Sequence, residues 1–238
     1  MFMSYFISDK GRKFFKFFRQ LMIEGKTLKG TIVPYNIWRS FALLNLAVEA
    51  TLMGYHKLDM FDSNNIIREI YNAIPRSERT EDIYRVSEPG NPTEYYNGIM
   101  RYLKGGSIKI LKIAPEFFDT PHDGQYLPDV ICYSVLTEEA HREIYKQPEI
   151  KIKNVLYKLD SVSIIDTTGV HFCSMVTYNN KEYGFDGASF KRLNPFKWKK
   201  LINVNRKFTF KGSFWSGTTE PIYWNFKTGY QELYYYRV

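Results

Sequence analysis

The stretch YKLDSVSIIDTTGVHFCSMVTYNNKEYGFDGAS, at residues 157–189, decides the fold. It contains two predicted strands joined by a short loop, followed by a hairpin. Residues 155–165 are rich in β-branched and apolar side chains, which favours a strand. The run DTTG at 166–169 has the composition of a turn and ends that strand. Residues 170–178 return to Val, Phe, Met and Thr and predict the second strand.

The second half of this stretch predicts a hairpin that brings two polar residues together. Asn179-Asn180 suits a two-residue hairpin loop, because Asn accepts a positive φ more readily than most residues. Residues 181–185 then form the partner strand. His171 thus begins one strand and Asp186 ends its antiparallel neighbour, so the two lie side by side. A carboxylate in that place fixes the tautomer of an imidazole and supports its protonated form.

Four segments of the last half of the chain resemble ubiquitin-specific proteases. TGVHF at 168–172 and EYGFD at 182–186 resemble the histidine box of that family, which reads Gly-His-Tyr, a strand, a turn and then Trp-Tyr-x-Phe-Asp. The chain end, GYQELYYYR at 229–237, resembles the closing strand of the family. LPDVI at 127–131 resembles a strand upstream of the box, and all four segments follow the order of the family.

This resemblance implies an α+β fold of the papain-like cysteine protease type. A central buried helix, which we place at 43–53, would pack on an antiparallel sheet built mainly from residues 107–238, in one domain over 1–238. The resemblance also implies the chemistry of a deubiquitinase. His171 would take the thiol proton, Asp186 would orient the imidazole, and the partner would be ubiquitin or a ubiquitin-like protein.

The nucleophilic cysteine that the resemblance implies is missing, since no cysteine occurs in residues 1–131. The best alignment of the family's cysteine box places Ala42 at the nucleophile and Asn36, six residues earlier, as an oxyanion donor. Two other registers place Ser40 or Ile37 there instead. Two explanations stay open: a natural pseudoenzyme, or a protein inactivated by a change of cysteine to alanine. The sequence therefore leaves enzymatic activity open.

The two cysteines of the chain, Cys132 and Cys173, point to a protein without a metal site. Two cysteines cannot build a four-cysteine zinc site, and the four histidines show no ligand spacing. We therefore expect no metal or organic cofactor. Free cysteines are among the most buried residue types, so we place both in the core. So few cysteines favour a reducing compartment, the cytoplasm or the nucleus.

The chain has a formal charge of +8 over 238 residues, and its basic residues concentrate in two segments. Residues 1–25 predict a basic amphipathic helix, either docked on the domain or bound at an interface. Six of the positions 197–211 are Lys or Arg, which indicates a solvated face or a surface for an acidic or virion partner. No motif typical of RNA or DNA binding accompanies them, so we expect no nucleic-acid partner. No apolar run of about 18 residues predicts a membrane span.

Two functions therefore follow from the sequence. The first is a ubiquitin-specific-protease-like protein, a deubiquitinase-type cysteine peptidase whose nucleophile position holds Ala42. The second is a non-enzymatic scaffold that binds other protein subunits of a larger assembly. Short proteases of this type resemble those that large DNA viruses encode. The larger assembly would then be a virus particle, with this chain as one of its components.

Overall fold

The strands of the described chain all lie after residue 109, and its three long helices all end by residue 73. The computed structural model divides the chain into one unit of Met1 with Phe14–Ser107 and another of Phe2–Lys13 with Ile108–Val238. It describes residues 5–26, 30–53, 63–81, 83, 85–86, 88, 94–95, 98–99, 110–113, 127–135, 145–187 and 193–238. The expectation of a single domain over 1–238 stays a prediction.

The helices follow one another along the first third of the chain. They are α1 (Gly11–Phe14), α2 (Lys16–Glu24), α3 (Tyr35–Met53) and α4 (Ser63–Ala73). Within the first unit, α3 packs against both α2 and α4. None of the helices in the described ranges combines the length and the apolar character that crossing a bilayer requires.

Helix α3 is longer and more exposed than the sequence indicated. It begins at Tyr35, directly after Pro34, whose carbonyl accepts the first helical hydrogen bond. The predicted helix, 43–53, missed the first two turns because they mix aromatic and polar residues. The predicted burial of this helix does not hold on one of its faces. The side chains of Leu46 and Met53, seven residues apart and so on the same face, are 47% and 68% exposed.

The N-terminal segment does not form one continuous helix over 1–25. Its beginning belongs to the sheet unit, where Tyr5 is fully buried and meets the ring of Tyr234 edge to face at 5.7 Å. The backbone N–H of Lys10 donates to the buried carboxylate of Asp160 over 2.6 Å. The basic, amphipathic helical part is therefore confined to α1 and α2.

Asp9 in that segment holds the tip of a hairpin in the sheet. Its two carboxylate oxygens accept the backbone N–H groups of Asn179 and Asn180, at 2.8 and 2.7 Å. Arg12 donates to the same carboxylate at 2.8 Å. Asn179 and Asn180 have φ of 49° and 59°, which confirms the predicted two-residue loop.

The second unit contains one eight-stranded sheet, in which every neighbouring pair is antiparallel except β1 and β2. The strand order is β1-β2-β8-β4-β5-β6-β7, and β3 pairs with β4 as well. The fold is thus α+β with a largely antiparallel sheet drawn from residues after 107, as predicted. The strands are β1 (Ile110–Ile113), β2 (Val130–Val135), β3 (Glu149–Ile152), β4 (Val155–Ile165), β5 (Phe172–Tyr178), β6 (Lys181–Phe185), β7 (Asn194–Pro195) and β8 (Gln231–Arg237).

Residues 196–230 follow β7, form no further strand of the sheet, and contribute aromatic side chains to its core. Trp198 and Trp224 are fully buried in the core, and Phe210 is 6% exposed. Phe210 lies directly over Gly184 of β6, where a Cβ atom would come within 2.3 Å of its ring. The absence of a side chain at this position therefore lets this segment approach the sheet.

Lys146 is a buried cation beside this core. Its side chain is 1% exposed, and its ammonium group donates to the carbonyl of Phe226 and, over 2.6 Å, to the side-chain carbonyl of Gln231. No carboxylate among the described residues pairs with it. Burial, with the nearby charge of Lys227, lowers the pKa of Lys146 to about 7.

The low pKa of Lys146 predicts a pH-dependent stability. As the pH rises from about 7 towards 10.5, the unfolded chain retains a proton that folded Lys146 has lost, so the free energy of unfolding will increase. One whole proton corresponds to a slope of about 1.4 kcal/mol per pH unit. Urea denaturation at about pH 7 and about pH 9 measures this slope. Lys146→Met will lose this contribution, and the exposed control Lys200→Met will keep it. Equal slopes in the wild type and in Lys146→Met would contradict this assignment.

Candidate functional site

The turn before β5 is held together by one buried carboxylate. Asp166 accepts the backbone N–H groups of Thr168, Val170 and His171 at 2.7 to 2.8 Å, and also the hydroxyl of Thr168. Burial alone would raise the pKa of Asp166, but these donors outweigh it and hold the pKa below its ordinary value. The ionised carboxylate therefore fixes the backbone that carries His171.

His171 and Asp186 form a close pair, as the sequence predicted from the ends of the two strands. His171 Nε2 lies 2.6 Å from Asp186 Oδ1. The side chain of His171 is 23% exposed, whereas that of Asp186 is fully buried. The hydroxyl of Ser213 donates to the other carboxylate oxygen over 2.6 Å. Asp186 thus receives a donor on each oxygen, which compensates for the burial of its charge.

This contact determines which ring nitrogen of His171 is available for chemistry. An ionised carboxylate can only accept hydrogen bonds, so the neutral imidazole places its proton on Nε2, facing Asp186. The lone pair is then on Nδ1, which has no hydrogen-bond partner among the residues that the structure describes. Because the ring is partly exposed, Nδ1 is able to accept a proton from a group that approaches it.

Two tryptophans flank the imidazole ring. The ring centroids of Trp215 and Trp224 lie 6.3 and 6.1 Å from that of His171. Trp224 is held in place by a β-bridge to Asp166 and a second to Phe208. The same segment, residues 206–224, therefore supplies these aromatic neighbours, and it also carries the serine that binds Asp186.

The other two predicted site residues, Asn36 and Ala42, both lie in α3 of the first unit, whereas His171 and Asp186 lie in the second. Asn36 is exposed in the first helical turn, and Ala42 is partly buried about two turns from the start. The resemblance implied a nucleophile at the start of a helix, where the dipole acts within the first turn. The structure places Ala42 beyond that turn, and the catalytic roles of Ala42 and Asn36 stay predictions.

The remaining candidates for a nucleophile are occupied or inaccessible. Ser40 is 1% exposed, and its hydroxyl donates to the carbonyl of Asn36 within the same helix at 3.0 Å. Cys132 and Cys173 form no disulfide and are 0% and 2% exposed, which confirms that both belong to the core. Burial, together with the charges of two nearby aspartates, raises the pKa of Cys173 well above its ordinary value. Its thiol therefore stays protonated.

The sequence did not single out Asp166 or Ser213 as parts of this site. Asp166 could have been found, because Asp-x-Thr-Gly is typical of a turn in which the side chain binds the following backbone N–H groups. Ser213 gave no local signal, since it lies 27 residues from Asp186 along the chain. Among the described residues, no cluster of His, Cys, Asp and Glu is able to hold a metal ion.

Comparisons with known proteins add no assignment to this geometry. No model of a known protein family matches the chain, and no curated protein matches it. The chemistry of the site therefore rests on the residues themselves.

The two hydrogen bonds of Asp186 predict coupling between Ser213 and Asp186. Ser213→Ala will lower the free energy of unfolding by about 1–3 kcal/mol, because a buried carboxylate oxygen loses its donor. In Asp186→Asn the same change will cost less, so a double-mutant cycle will give a coupling of at least about 0.5 kcal/mol. Urea denaturation of the four proteins measures the coupling. Ser216→Ala, at an exposed position on the same segment, serves as the control. Additive effects of the two changes would contradict the hydrogen bond.

Proposed function

We propose that this chain is a ubiquitin-specific-protease-like protein of papain-like fold that has the base and the acid of a cysteine deubiquitinase but lacks its thiol. The observation that carries the proposal is the 2.6 Å contact between His171 Nε2 and the fully buried carboxylate of Asp186. The resemblance assigns the base and the acid to these two positions. The proposed partner is the C-terminal tail of ubiquitin or of a ubiquitin-like protein.

The pair has the properties that this chemistry needs from it. With Nε2 directed at Asp186, Nδ1 would take the proton of a thiol, and the carboxylate would stabilise the resulting imidazolium. A thiolate would then attack the carbonyl of the isopeptide or peptide bond at the end of the ubiquitin tail, with Asn36 as the proposed oxyanion donor. The C–N bond would break as the thioester forms, the imidazolium would give its proton to the leaving amine, and water would then hydrolyse the thioester. Without a thiol the chain would bind the tail and leave it uncut, whether the cysteine was lost naturally or replaced.

The start of α3 makes a second register worth testing. Ile37 is the third residue of the helix, where the N-terminal dipole still acts, whereas Ala42 is the eighth. Ser40 lies between them. A thiol at any of these three positions would restore the missing group, and only the correct register would bring it to the base.

Labelling of cysteine variants tests the proposal. Ile37→Cys, Ser40→Cys and Ala42→Cys are each mixed with ubiquitin that carries a thiol-reactive group at its C-terminus, and adducts are detected by mass spectrometry. We expect one variant to form an adduct at the new cysteine and to lose it when His171→Ala is added. The unchanged chain serves as the control and will form none, since both of its thiols are buried. Three folded variants that all fail to react would overturn the proposal.

The alternative is a non-enzymatic scaffold in a larger assembly. Because the chain resembles short viral proteases, that assembly would be a virus particle. The observation that favours it is that Ala42 lies in the middle of α3, away from the helix N-terminus, and that residues 1–131 contain no cysteine. Either proposal places the chain in a reducing compartment, the cytoplasm or the nucleus. Failure of all three cysteine variants to react would favour the scaffold.

A further inference from the structure

One of the two basic segments has a net charge as large as that of the whole chain. Residues 187–219 contain no Asp or Glu, and without their eight cations the chain has 25 Lys and Arg against 25 Asp and Glu. These 33 residues therefore carry +8, and the charges of the rest of the chain sum to zero. The eight cations are Lys191, Arg192, Lys197, Lys199, Lys200, Arg206, Lys207 and Lys211.

Most of these cations are exposed and have no acidic neighbour to neutralise them. Five are exposed, and none of the five forms an ion pair with any residue that the structure describes: Lys197, Lys200, Arg206, Lys207 and Lys211. Lys199 differs, because it is partly buried near the charges of Asp160 and Glu182. The five unpaired cations thus create a positive electrostatic potential that attracts an acidic ligand.

A two-stranded ribbon, joined by the bridge of Phe208 to Trp224, carries part of this charge together with an exposed aromatic ring. Phe208 and Trp224 exchange two backbone hydrogen bonds of 2.9 Å, which makes Thr209 and Tyr223 the next residues on the two paired segments. Alternation along the ribbon directs Phe208 and Trp224 inward and Tyr223 outward, where it is 40% exposed. Lys207 lies two residues before Thr209, Lys211 lies in the turn that follows it, and both are exposed.

A second aromatic ring extends the same outer surface. Phe214 follows the buried Ser213 and precedes the partly buried Trp215, so it points outward, and it is 46% exposed. A β-bridge to Pro221 holds its backbone. The inner side of the ribbon faces His171 through its tryptophans. We call the opposite side the outer ribbon face, formed by Lys207, Thr209, Lys211, Phe214 and Tyr223.

We propose that the outer ribbon face binds single-stranded nucleic acid without sequence preference. Cations that contact phosphates, together with exposed aromatic rings on which bases stack, are the two elements of such sites. A duplex hides the faces of its bases and would leave Tyr223 and Phe214 without partners. An acidic polypeptide would pair with the cations but offers no regular series of flat faces to the rings.

This inference departs from the expectation that the chain has no nucleic-acid partner. That expectation rested on the lack of a sequence motif, and no local motif records that the bridge of Phe208 to Trp224 brings the segment of Tyr223 beside that of Lys207. The inference does not depend on the proposed protease-like function. The residues that carry it lie on the side of the ribbon away from His171, and none of them contacts Asp186.

Fluorescence anisotropy of a labelled oligothymidylate of about 16 nucleotides tests the proposal. The intact chain will bind it, and the logarithm of the binding constant will fall linearly with the logarithm of salt between about 50 and 200 mM. Lys207→Gln with Lys211→Gln will lower this slope by about 0.7 for each phosphate that the protein no longer neutralises. The matched control, Lys151→Gln with Lys181→Gln, removes two exposed lysines elsewhere and will leave the slope unchanged.

Substitutions of Tyr223 distinguish binding that includes base stacking from binding by charge alone. Tyr223→Ala will weaken binding about tenfold with the salt slope unchanged, and Tyr223→Phe, which keeps the ring, will bind as the wild type does. Circular dichroism confirms that each variant is folded. The proposal is overturned if the chain does not bind at about 50 mM salt, or if the control pair of lysines matters as much. It is equally overturned if polyglutamate or duplex DNA competes as well as the single strand does while Tyr223→Ala has no effect.

Discussion

The buried carboxylate of Asp186 is the constraint on which the rest of this site depends. A charge with no exposed surface is tolerated only where its oxygens are hydrogen-bonded, and here His171 and Ser213 supply one donor each. Those two partners come from segments far apart in sequence. Satisfying one carboxylate therefore fixes the start of β5 and the end of β6 relative to the ribbon at 206–224.

A second carboxylate, Asp166, does the same for the backbone. It gathers the N–H groups of the turn that ends at His171, and its β-bridge to Trp224 ties that turn to the same ribbon. The inner side of the ribbon thus makes the contacts with the site that hold it in position. Its lysines and Tyr223 lie on the outer side. The ribbon carries side chains beside the imidazole and, at other positions, a cationic, aromatic surface, so the two proposed activities would not compete for residues.

The local parts of this arrangement were predictable from the sequence, and the distant parts were not. Strand β4, strand β6 and the Asn179-Asn180 loop have the predicted bounds. The composition of a strand and the residues of a turn are local properties, and a few consecutive residues suffice to recognise them. The pairing of His171 with Asp186 followed from that hairpin. Ser213 was missed because only tertiary packing brings it to Asp186. The start of α3 was missed because its first two turns mix aromatic and polar residues, and a search for apolar residues does not detect them.

The protonation of the two ring nitrogens of His171 tests the central claim most directly. ¹⁵N NMR of the intact chain, labelled at histidine and recorded above neutral pH, distinguishes a nitrogen that bears a proton from one with a lone pair. We expect a proton on Nε2 and a lone pair on Nδ1, and we expect Asp186→Asn to abolish this preference. A proton on Nδ1 of the unchanged chain, or a mixture of tautomers that Asp186→Asn leaves unaltered, would show that Asp186 does not orient the ring.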